Sequence, residues 1–279
     1  MTSPEYRKAR TVLLDALEGL GPHRDAVVLV GAQAVYLHTG GADFGTAPTT
    51  TDADLVLVPD LLADEPSVAD AMRAAGFVPG AQPGSWLGDG DIAVDLMAPE
   101  ALCGTGSRRS ARLQPPHDAT TTARRTLGLE AAVVDNDIRV ITALDDGDAR
   151  SFEIKVAGPA ALLVSKVVKI VERRDQPLRL KPKDGLDVLR LLRRVDTARL
   201  VRGLRALAAA DLTRAIVGRV VEDLRSLAAE PDDLLPTPAA EAEAGFTDPD
   251  EVKFSMVALV DDLLRALDTE PSGERAVHG

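Results

Sequence analysis

The pattern of apolar residues changes near residue 157, and this change constrains the fold more than any other feature of the chain. Before that point, short runs such as AVVLV, DADLVLV and DIAVDLM are typical of β-strands separated by helices and loops. After it, apolar residues recur every three or four positions through several segments, which indicates helices. We therefore predict an α/β (α+β) domain with a mixed sheet over residues 1–157, followed by an all-helical C-terminal domain over residues 158–279.

The run AVVLVGAQAVYLH is the clearest local signal in the first half. A continuous apolar stretch from Val27 to Val30, ended by Gly31 at the start of a helical pattern, is typical of a buried strand that turns into a helix. Such a turn can present backbone N–H groups to a phosphate, although a plain tight turn explains Gly31 equally well. Elsewhere we predict a helix over residues 5–20, β-rich segments near 131–142 and 152–157, and loops over 39–51, 100–128 and 231–250.

Charge is distributed unevenly along this acidic chain, whose net charge is −12. Acidic proteins are poor general nucleic-acid binders, because neutralising phosphates needs clustered Lys and Arg. Residues 166–205, however, carry thirteen Lys or Arg against five Asp or Glu, whereas residues 226–279 carry three against thirteen. The first segment can therefore meet a polyphosphate or RNA, and the second repels it.

Several classes of protein are excluded by what the sequence lacks. A single cysteine, Cys103, rules out an internal disulfide and a cysteine-based zinc site, and we expect it to be buried. Neither a serine-hydrolase elbow nor a Walker P-loop is present. The start MTSPEYRKAR lacks the apolar stretch of a signal peptide, and no run of about 18 apolar residues is available to span a membrane. We predict a cytoplasmic protein without a membrane partner.

An acidic constellation is the main candidate for chemistry. Asp52 and Asp54 share one face of a predicted strand, because side chains alternate with a period of two. Asp95 holds a similar place in a second strand, so pairing of the two strands would bring three carboxylates together. Such a cluster needs a cation, and Mg²⁺ (one or two ions) suits it, with Asp95 helping to deprotonate an acceptor. Alternatively, Asp52 caps a turn while Asp54 and Asp95 face solvent.

In the second half, a predicted helix with basic residues is followed by a predicted helix with acidic residues. Lys166, Lys169 and Arg173 share a helix face, and Asp184 and Asp187 lie one turn apart on the next helix. If these helices pack antiparallel over a cleft, a lysine can reach nucleotide phosphates while the aspartates orient it. The alternative is a pair of surface helices joined by ordinary salt bridges.

A basic loop follows the strand of Asp95. Arg108, Arg109 and Arg112 can clamp a triphosphate or an RNA backbone, or belong to a solvated loop.

Together these motifs resemble a known family. GAQAVYLH, TTDADLVL and AVDLMAP resemble the G[G/S]…DxD…D pattern of the DNA-polymerase-β nucleotidyltransferase superfamily. SKVVKIVERR followed by KDGLDVLRLL resembles the lysine helix and KDxxD helix of AbiEii-type nucleotidyltransferase toxins, so the resemblance runs from Val27 to Leu192. It implies a polymerase-β-like core and the following roles: metal binding by Asp52, Asp54 and Asp95; catalysis by these three with Lys166 and Asp187; nucleotide binding by Gly31, Ala32, Lys166, Lys169, Arg108, Arg109 and Asp184.

The function implied is Mg²⁺-dependent transfer of a nucleoside monophosphate from an NTP to a hydroxyl (EC 2.7.7 type). The toxin resemblance further implies an RNA acceptor, specifically a tRNA 3′ end, and a cognate antitoxin. One alternative is a small-molecule acceptor such as an aminoglycoside-like antibiotic, a polycation that the acidic C-terminal region would attract. Another is a degenerate, non-catalytic nucleotide-binding module, because Ala32 stands where the family has Gly or Ser and offers no hydroxyl to a phosphate.

Overall fold

The computed structural model describes residues 3–40, 50–104 and 109–269. Within these ranges the strands are, in chain order, β1 (Val27–Val30), β2 (Asp52–Leu57), β3 (Val78–Pro79), β4 (Ser85–Leu87), β5 (Ala93–Pro99), β6 (Arg124–Thr126), β7 (Asn136–Thr142) and β8 (Ser151–Ala157). The α-helices are α1 (Pro4–Gly19), α2 (Gly31–Thr39), α3 (Val68–Ala74), α4 (Glu100–Cys103), α5 (Glu130–Val134), α6 (Pro159–Val171), α7 (Pro182–Arg194), α8 (Thr197–Ala209), α9 (Arg214–Leu227), α10 (Pro236–Ala242) and α11 (Pro249–Asp268).

The strands form one mixed sheet in the order β3-β4-β5-β2-β1-β8-β7, with β6 also pairing with β5. β1 is antiparallel to β2 and parallel to β8, while β2 and β5 run parallel. All four residues of β1 are buried, as expected for a central strand that is covered on both faces. The predicted fold class, a mixed sheet with helices followed by a helical C-terminal region, is confirmed.

Buried polar side chains of α1 and α2 hold the start of β2 in place. Gln33 is 1% exposed, and its Nε2 donates to the carbonyl oxygens of Ala9 (3.3 Å) and Asp52 (3.2 Å). Arg10, also buried, donates from Nε to Gln33 Oε1 at 2.9 Å. Because buried polar groups are costly when unpaired, this network holds the backbone of Asp52 in one place.

The helical half begins immediately after β8. α6 packs against α7 and α8, and α7 also packs against α2, which follows the central strand. Buried apolar side chains from both halves belong to one hydrophobic core. The division into two domains at residues 157 and 158 stays a prediction.

Three segments differ from the sequence-based expectation. The loop predicted over 100–128 contains α4 and β6, and the first part of the β-rich segment near 131–142 is α5. α5 forms where the Glu130 carboxylate accepts N–H groups from Gly128 (2.8 Å) and Ala101 (3.0 Å), a tertiary contact that local propensity does not record. The loop predicted over 231–250 contains α10, which packs against α7 and α11. Of the loop predicted over 39–51, residues 41–49 lie outside the described ranges.

Two smaller expectations concern burial and membranes. Cys103 is 2% exposed, as predicted. No helix in the described ranges combines the length and apolar character needed to cross a bilayer.

His38, near the end of α2, joins that helix to the two strands beyond β1. Its Nε2 lies 2.8 Å from the carbonyl oxygen of Ala157, to which it donates, and its Nδ1 accepts from Arg139 Nη2 at 3.1 Å. An imidazole can accept at Nδ1 only when that nitrogen carries no proton. Burial is the main cause that lowers the pKa of His38, to about 4.

This shift predicts an acid-sensitive contribution to stability. The unfolded chain protonates His38 near pH 6.5. The stability that neutral His38 contributes is therefore complete above about pH 6.5 and is lost as the pH falls towards the folded pKa of about 4. We expect the free energy of unfolding in urea to fall more steeply between these two pH values in the wild type than in His38→Gln. Parallel pH profiles of the two proteins would contradict this assignment.

Candidate functional site

Strand register brings the three predicted aspartates together. Val30, at the end of β1, pairs with Asp54 of β2, and Asp54 pairs in register with Asp95 of the parallel strand β5. Asp52 lies two residues before Asp54 and so shares its face of the sheet. All three line one cavity of about 640 Å³. The strand of Asp95 therefore does pair beside the strand of Asp52 and Asp54, which is the condition under which the three carboxylates meet.

The three carboxylates have different partners. Asp52 Oδ1 accepts a hydrogen bond from Thr50 Oγ1 at 2.6 Å, and Asp95 Oδ2 forms an ion pair with Arg124 Nη2 at 3.1 Å. In the part of the chain that the structure describes, no side chain donates a hydrogen bond to Asp54 or forms an ion pair with it. Asp54 is therefore the carboxylate whose charge is least compensated by direct contact.

Electrostatics at Asp54 reflect this arrangement. Burial, and next the neighbouring charge of Asp52, raise the pKa of Asp54 to about 6, while Lys169 opposes the shift. Carboxylates that crowd one another in a cavity destabilise their own ionised forms, and an added cation relieves that repulsion. The site is thus electrostatically suited to a positively charged ligand beside Asp54.

The carboxylate oxygens of the three aspartates are suitable ligands for magnesium, but they do not by themselves surround a metal ion. Mg²⁺ prefers oxygen ligands and commonly takes one or two carboxylates, with substrate phosphates and waters completing its shell. Among residues 3–40, 50–104 and 109–269, no group of three or more His, Cys, Asp or Glu side chains is arranged to hold one metal ion. The aspartates therefore fit an ion that shares its ligands with a substrate, and the magnesium site stays a prediction.

Asp52, Asp54 and Asp95 form an acidic corner of the cavity. Gly31, the first residue of α2, lies beside Asp54 at the edge of this corner. Its φ is +67°, and a Cβ added there would lie 2.0 Å from Asp54 Oδ2. Both the backbone conformation and the close approach of Asp54 therefore require glycine. Val30 and Gly31 line the cavity. Ala32, by contrast, is 5% exposed and packs in the hydrophobic core rather than along the cavity.

We expect Gly31→Ala to destabilise the protein and displace Asp54, because the new methyl group meets the carboxylate. The matched control is Gly218→Ala in α9, where an added Cβ meets nothing within 4 Å and the residue is exposed. This control should raise the free energy of unfolding by about 0.5–1 kcal/mol, the usual gain for alanine within a helix. Thermal unfolding and Mn²⁺ binding measure the two effects. Wild-type values for Gly31→Ala in both would contradict the assigned packing.

A ladder of ion pairs between α6 and α7 forms the basic wall of the cavity. Lys166 Nζ lies 2.6 Å from Asp187 Oδ2 and 3.0 Å from Asp184 Oδ1, and Lys169 Nζ lies 2.9 Å from the same Asp184 oxygen. Arg173 Nη1 reaches Asp184 Oδ2 at 3.3 Å. The contacts run in opposite directions along the two helices, so the helices are antiparallel, which is the arrangement that a phosphate-binding role requires.

The members of this ladder differ in exposure. The Lys166 side chain is 7% exposed and that of Lys169 is 38% exposed, and both line the cavity. Asp184 and Asp187 are buried behind the lysines and do not themselves line the cavity. The aspartates therefore position the lysines, and Lys169 is the more accessible of the two.

The buried ladder is ionic. Burial opposes the charge on Lys166, but the carboxylates of Asp187 and Asp184 raise its pKa above the ordinary value. Burial likewise acts against the charge on Asp184, but Lys166 and Lys169 hold its pKa well below the ordinary range. Burial and the charge of Lys166 lower the pKa of Lys169. Lys166 is thus held as a permanent cation between two carboxylates.

We expect Lys166→Met to cost about 3–5 kcal/mol of unfolding free energy, because it leaves the buried Asp187 without its ion-pair partner. The double variant Lys166→Met/Asp187→Leu should recover most of that loss, since an apolar pair replaces a buried ionic one. Urea denaturation of the two single variants and the double variant completes the cycle. Equal destabilisation in the single Lys166→Met variant and the double variant would contradict a direct pair.

Further charged side chains surround the same cavity. Arg109 lines it, and its Nη1 donates to Gln82 Oε1 at 3.3 Å; phosphate binding by Arg109 stays a prediction. Arg108 lies outside the described residues. Other charged lining residues, for which the sequence predicted no site role, are Glu100, Arg124, Arg125, Glu172, Arg179 and Lys181.

Arg124 and Arg125 were missed for a specific reason. They belong to β6, a strand of three residues within a stretch predicted to be a loop. The adjacent arginines in the sequence TARRTL are the only local signal, and solvated basic loops carry the same signal. Only the pairing of β6 with β5 brings these side chains to the cavity.

Comparisons with known proteins give distant structural similarity. Two solved structures from Helicobacter pylori match nearly the whole chain. JHP933 is 12% identical with a TM-score of 0.39, covering 96% of this chain and 95% of that one. The other, described as a candidate nucleotidyltransferase, is 9% identical with a TM-score of 0.34, covering 95% of this chain and 97% of that one. No protein-family model and no curated protein sequence matches the chain.

Proposed function

We propose that the protein is a nucleotidyltransferase that moves a nucleoside monophosphate from an NTP, with Mg²⁺, to a hydroxyl acceptor. The observation that carries this proposal is the two-sided cavity. Three aspartates on adjacent strands form one corner, and Lys166, Lys169 and several arginines form the facing wall. An acidic corner suits a divalent cation and a basic wall suits a polyphosphate, which is the pairing that a metal-bound nucleotide presents.

In this reaction the acceptor oxygen forms a bond to the α-phosphorus while the bond to pyrophosphate breaks. When bound beside these aspartates, Mg²⁺ would supply positive charge to the phosphates and would lower the pKa of the attacking hydroxyl. Asp52, Asp54 and Asp95 would hold the cation, and Asp95 would also receive the acceptor proton. Lys169 and Arg109 bind the leaving phosphates, and Lys166, held by Asp187 and Asp184, keeps the phosphate end of the cavity positive.

RNA is the acceptor that the charge distribution favours. Lys169, Arg173, Arg179 and Lys181 line the cavity and belong to the basic segment over residues 166–205. These side chains extend the positive wall beyond the carboxylates, as an entering phosphodiester backbone requires. Together with the resemblance to AbiEii-type toxins, this supports a tRNA 3′ end as acceptor.

The other two candidate functions receive less support. The acidic region over residues 226–279 was the reason to consider an aminoglycoside acceptor, yet in the described part of the chain no residue after Lys181 lines the cavity. Ala32 was the reason to consider a degenerate module, and its methyl group lies in the core, away from the cavity. Nucleotide binding at Gly31 would use the backbone, which needs no hydroxyl at residue 32.

A toxic role with a cognate antitoxin is a further part of the proposal and rests on the resemblance alone. A gene for a small winged-helix-type regulator immediately upstream would support it.

We expect Asp54→Asn to abolish transfer of label from an α-³²P-labelled NTP to RNA, because the amide keeps the shape of the side chain but removes its charge. Asp60→Asn is the matched control, since Asp60 is exposed just after β2 and outside the cavity. It should retain wild-type transfer. Undiminished transfer by a correctly folded Asp54→Asn variant would remove the proposed metal site.

The acceptor is identified by a parallel assay. Each of the four NTPs is incubated with the wild type and either bulk tRNA or an aminoglycoside, and labelled products are separated by size. Label on tRNA supports the proposal, and label on the aminoglycoside replaces the acceptor while keeping the chemistry. Mg²⁺-dependent NTP binding without any product favours a non-catalytic module.

A further inference from the structure

The ion pair between Asp95 and Arg124 occupies the acidic corner of the cavity. β6 runs parallel to β5, and Arg124 is in register with Met97, two residues beyond Asp95 on the same face. The guanidinium therefore reaches across Met97, with Nη2 lying 3.3 Å from the sulfur, to Asp95 Oδ2 at 3.1 Å. Asp95, Met97 and Arg124 all line the cavity. The guanidinium of Arg124 thus lies beside the carboxylate that is predicted to bind a metal cation.

This ion pair is weakly held. The side chains of Arg124 and Asp95 are 31% and 21% exposed, unlike the buried ladder of α6 and α7. Both hydrogen bonds of the guanidinium use Nη2, and in the described ranges its Nε and Nη1 have no hydrogen-bonding acceptor. Arg173, on the facing wall, is close enough for the two positive charges to repel. A partly exposed ion pair of this kind contributes little to stability, so its two side chains separate at a small cost in free energy.

We infer that Arg124 is an internal counter-cation for Asp95, which a divalent metal ion displaces when it binds. The inference rests on the proposed function. Arg124 neutralises Asp95 as long as no metal competes for the carboxylate. Once displaced, its guanidinium remains beside the basic wall, where it binds a nucleotide phosphate. Arg124 therefore positions Asp95 and links binding of the metal to binding of the nucleotide.

The inference predicts effects of opposite sign from one substitution. Removing the guanidinium frees Asp95, so a divalent cation alone binds more tightly. The same substitution removes a cation from the cavity, so the nucleotide binds less tightly. A purely structural ion pair has neither signature, because its loss lowers stability and weakens both ligands together.

The test uses the full chain and Mn²⁺, whose binding is followed by electron paramagnetic resonance without turnover. We expect Arg124→Gln to lower the Kd for Mn²⁺ about fivefold, the range by which a partly exposed ion pair competes. Arg124→Lys should stay near the wild type, because the ammonium keeps the charge beside Asp95. Arg109→Gln is the charge-matched control: it removes a cation from the same cavity, but among the described residues Arg109 bonds to Gln82 and to no carboxylate. The Kd of this variant for Mn²⁺ should change less than about twofold, because solvent and salt screen a charge that is not paired with the carboxylates.

The second arm titrates each variant with a non-hydrolysable NTP analogue at saturating Mn²⁺. Arg124→Gln should weaken analogue binding severalfold, and Arg124→Lys should restore part of it. Thermal unfolding of each variant identifies any general loss of structure. Should Arg124→Gln prove unstable, Arg124→Lys and Arg124→Met provide the same comparison.

The outcomes separate this inference from the proposed function. Unchanged or weaker Mn²⁺ binding by a folded Arg124→Gln variant overturns the counter-cation role, while loss of Mn²⁺ binding in Asp54→Asn would still support the metal site. Parallel loss of Mn²⁺ and analogue affinity also overturns it and makes the pair structural. If the wild type binds no Mn²⁺, the inference fails together with the metal site, and the RNA-labelling assay decides whether transfer occurs.

Discussion

The close approach of Asp54 to the backbone of Gly31 is the contact on which the site depends. A Cβ at residue 31 would lie 2.0 Å from the Asp54 carboxylate, so no other residue type fits there. The approach is possible because β1 ends at Val30 opposite Asp54, and because α2 starts with a positive φ. One glycine thus determines both the direction of α2 and the position of the central carboxylate. The three aspartates and Gly31 line one cavity for this reason.

The helical half contributes to the site through a buried ionic ladder. Because Lys166 lies between Asp184 and Asp187, the spacing and antiparallel direction of α6 and α7 are tied to charge pairing as well as to apolar packing. Buried ion pairs are weak sources of net stability, since desolvation offsets the attraction. We therefore explain these ion pairs by the positions in which they hold their side chains. The pairs hold the charged end of Lys166 at the cavity, and α7, which also packs on α2, connects that wall to the sheet.

Local pattern predicted the main strands and helices, because residues such as Val27 to Val30 and the alternating DADLVLV carry their periodicity in the sequence itself. It also predicted the meeting of Asp54 with Asp95, given that their strands pair. α5, α10 and β6 were missed because tertiary contacts form them, such as the Glu130 carboxylate at the backbone of Gly128. The contribution of Arg124 could not be predicted for the same reason, since it depends on β6 pairing with β5.

The charge balance of the cavity argues that its two proposed ligands bind interdependently. Among the residues that the structure describes, eight cationic side chains and five carboxylates line it, so these lining residues carry a net positive charge while the corner around Asp54 is negative. A divalent cation entering alone gains from the aspartates but meets the surrounding excess of positive charge. A triphosphate entering alone gains from the basic wall but meets the aspartates. A metal–nucleotide complex would suit both regions at once, because it carries a cation for the carboxylates and phosphates for the basic side chains. The ion pair of Arg124 with Asp95 is consistent with this balance, since it joins one charge of each kind where the two regions meet.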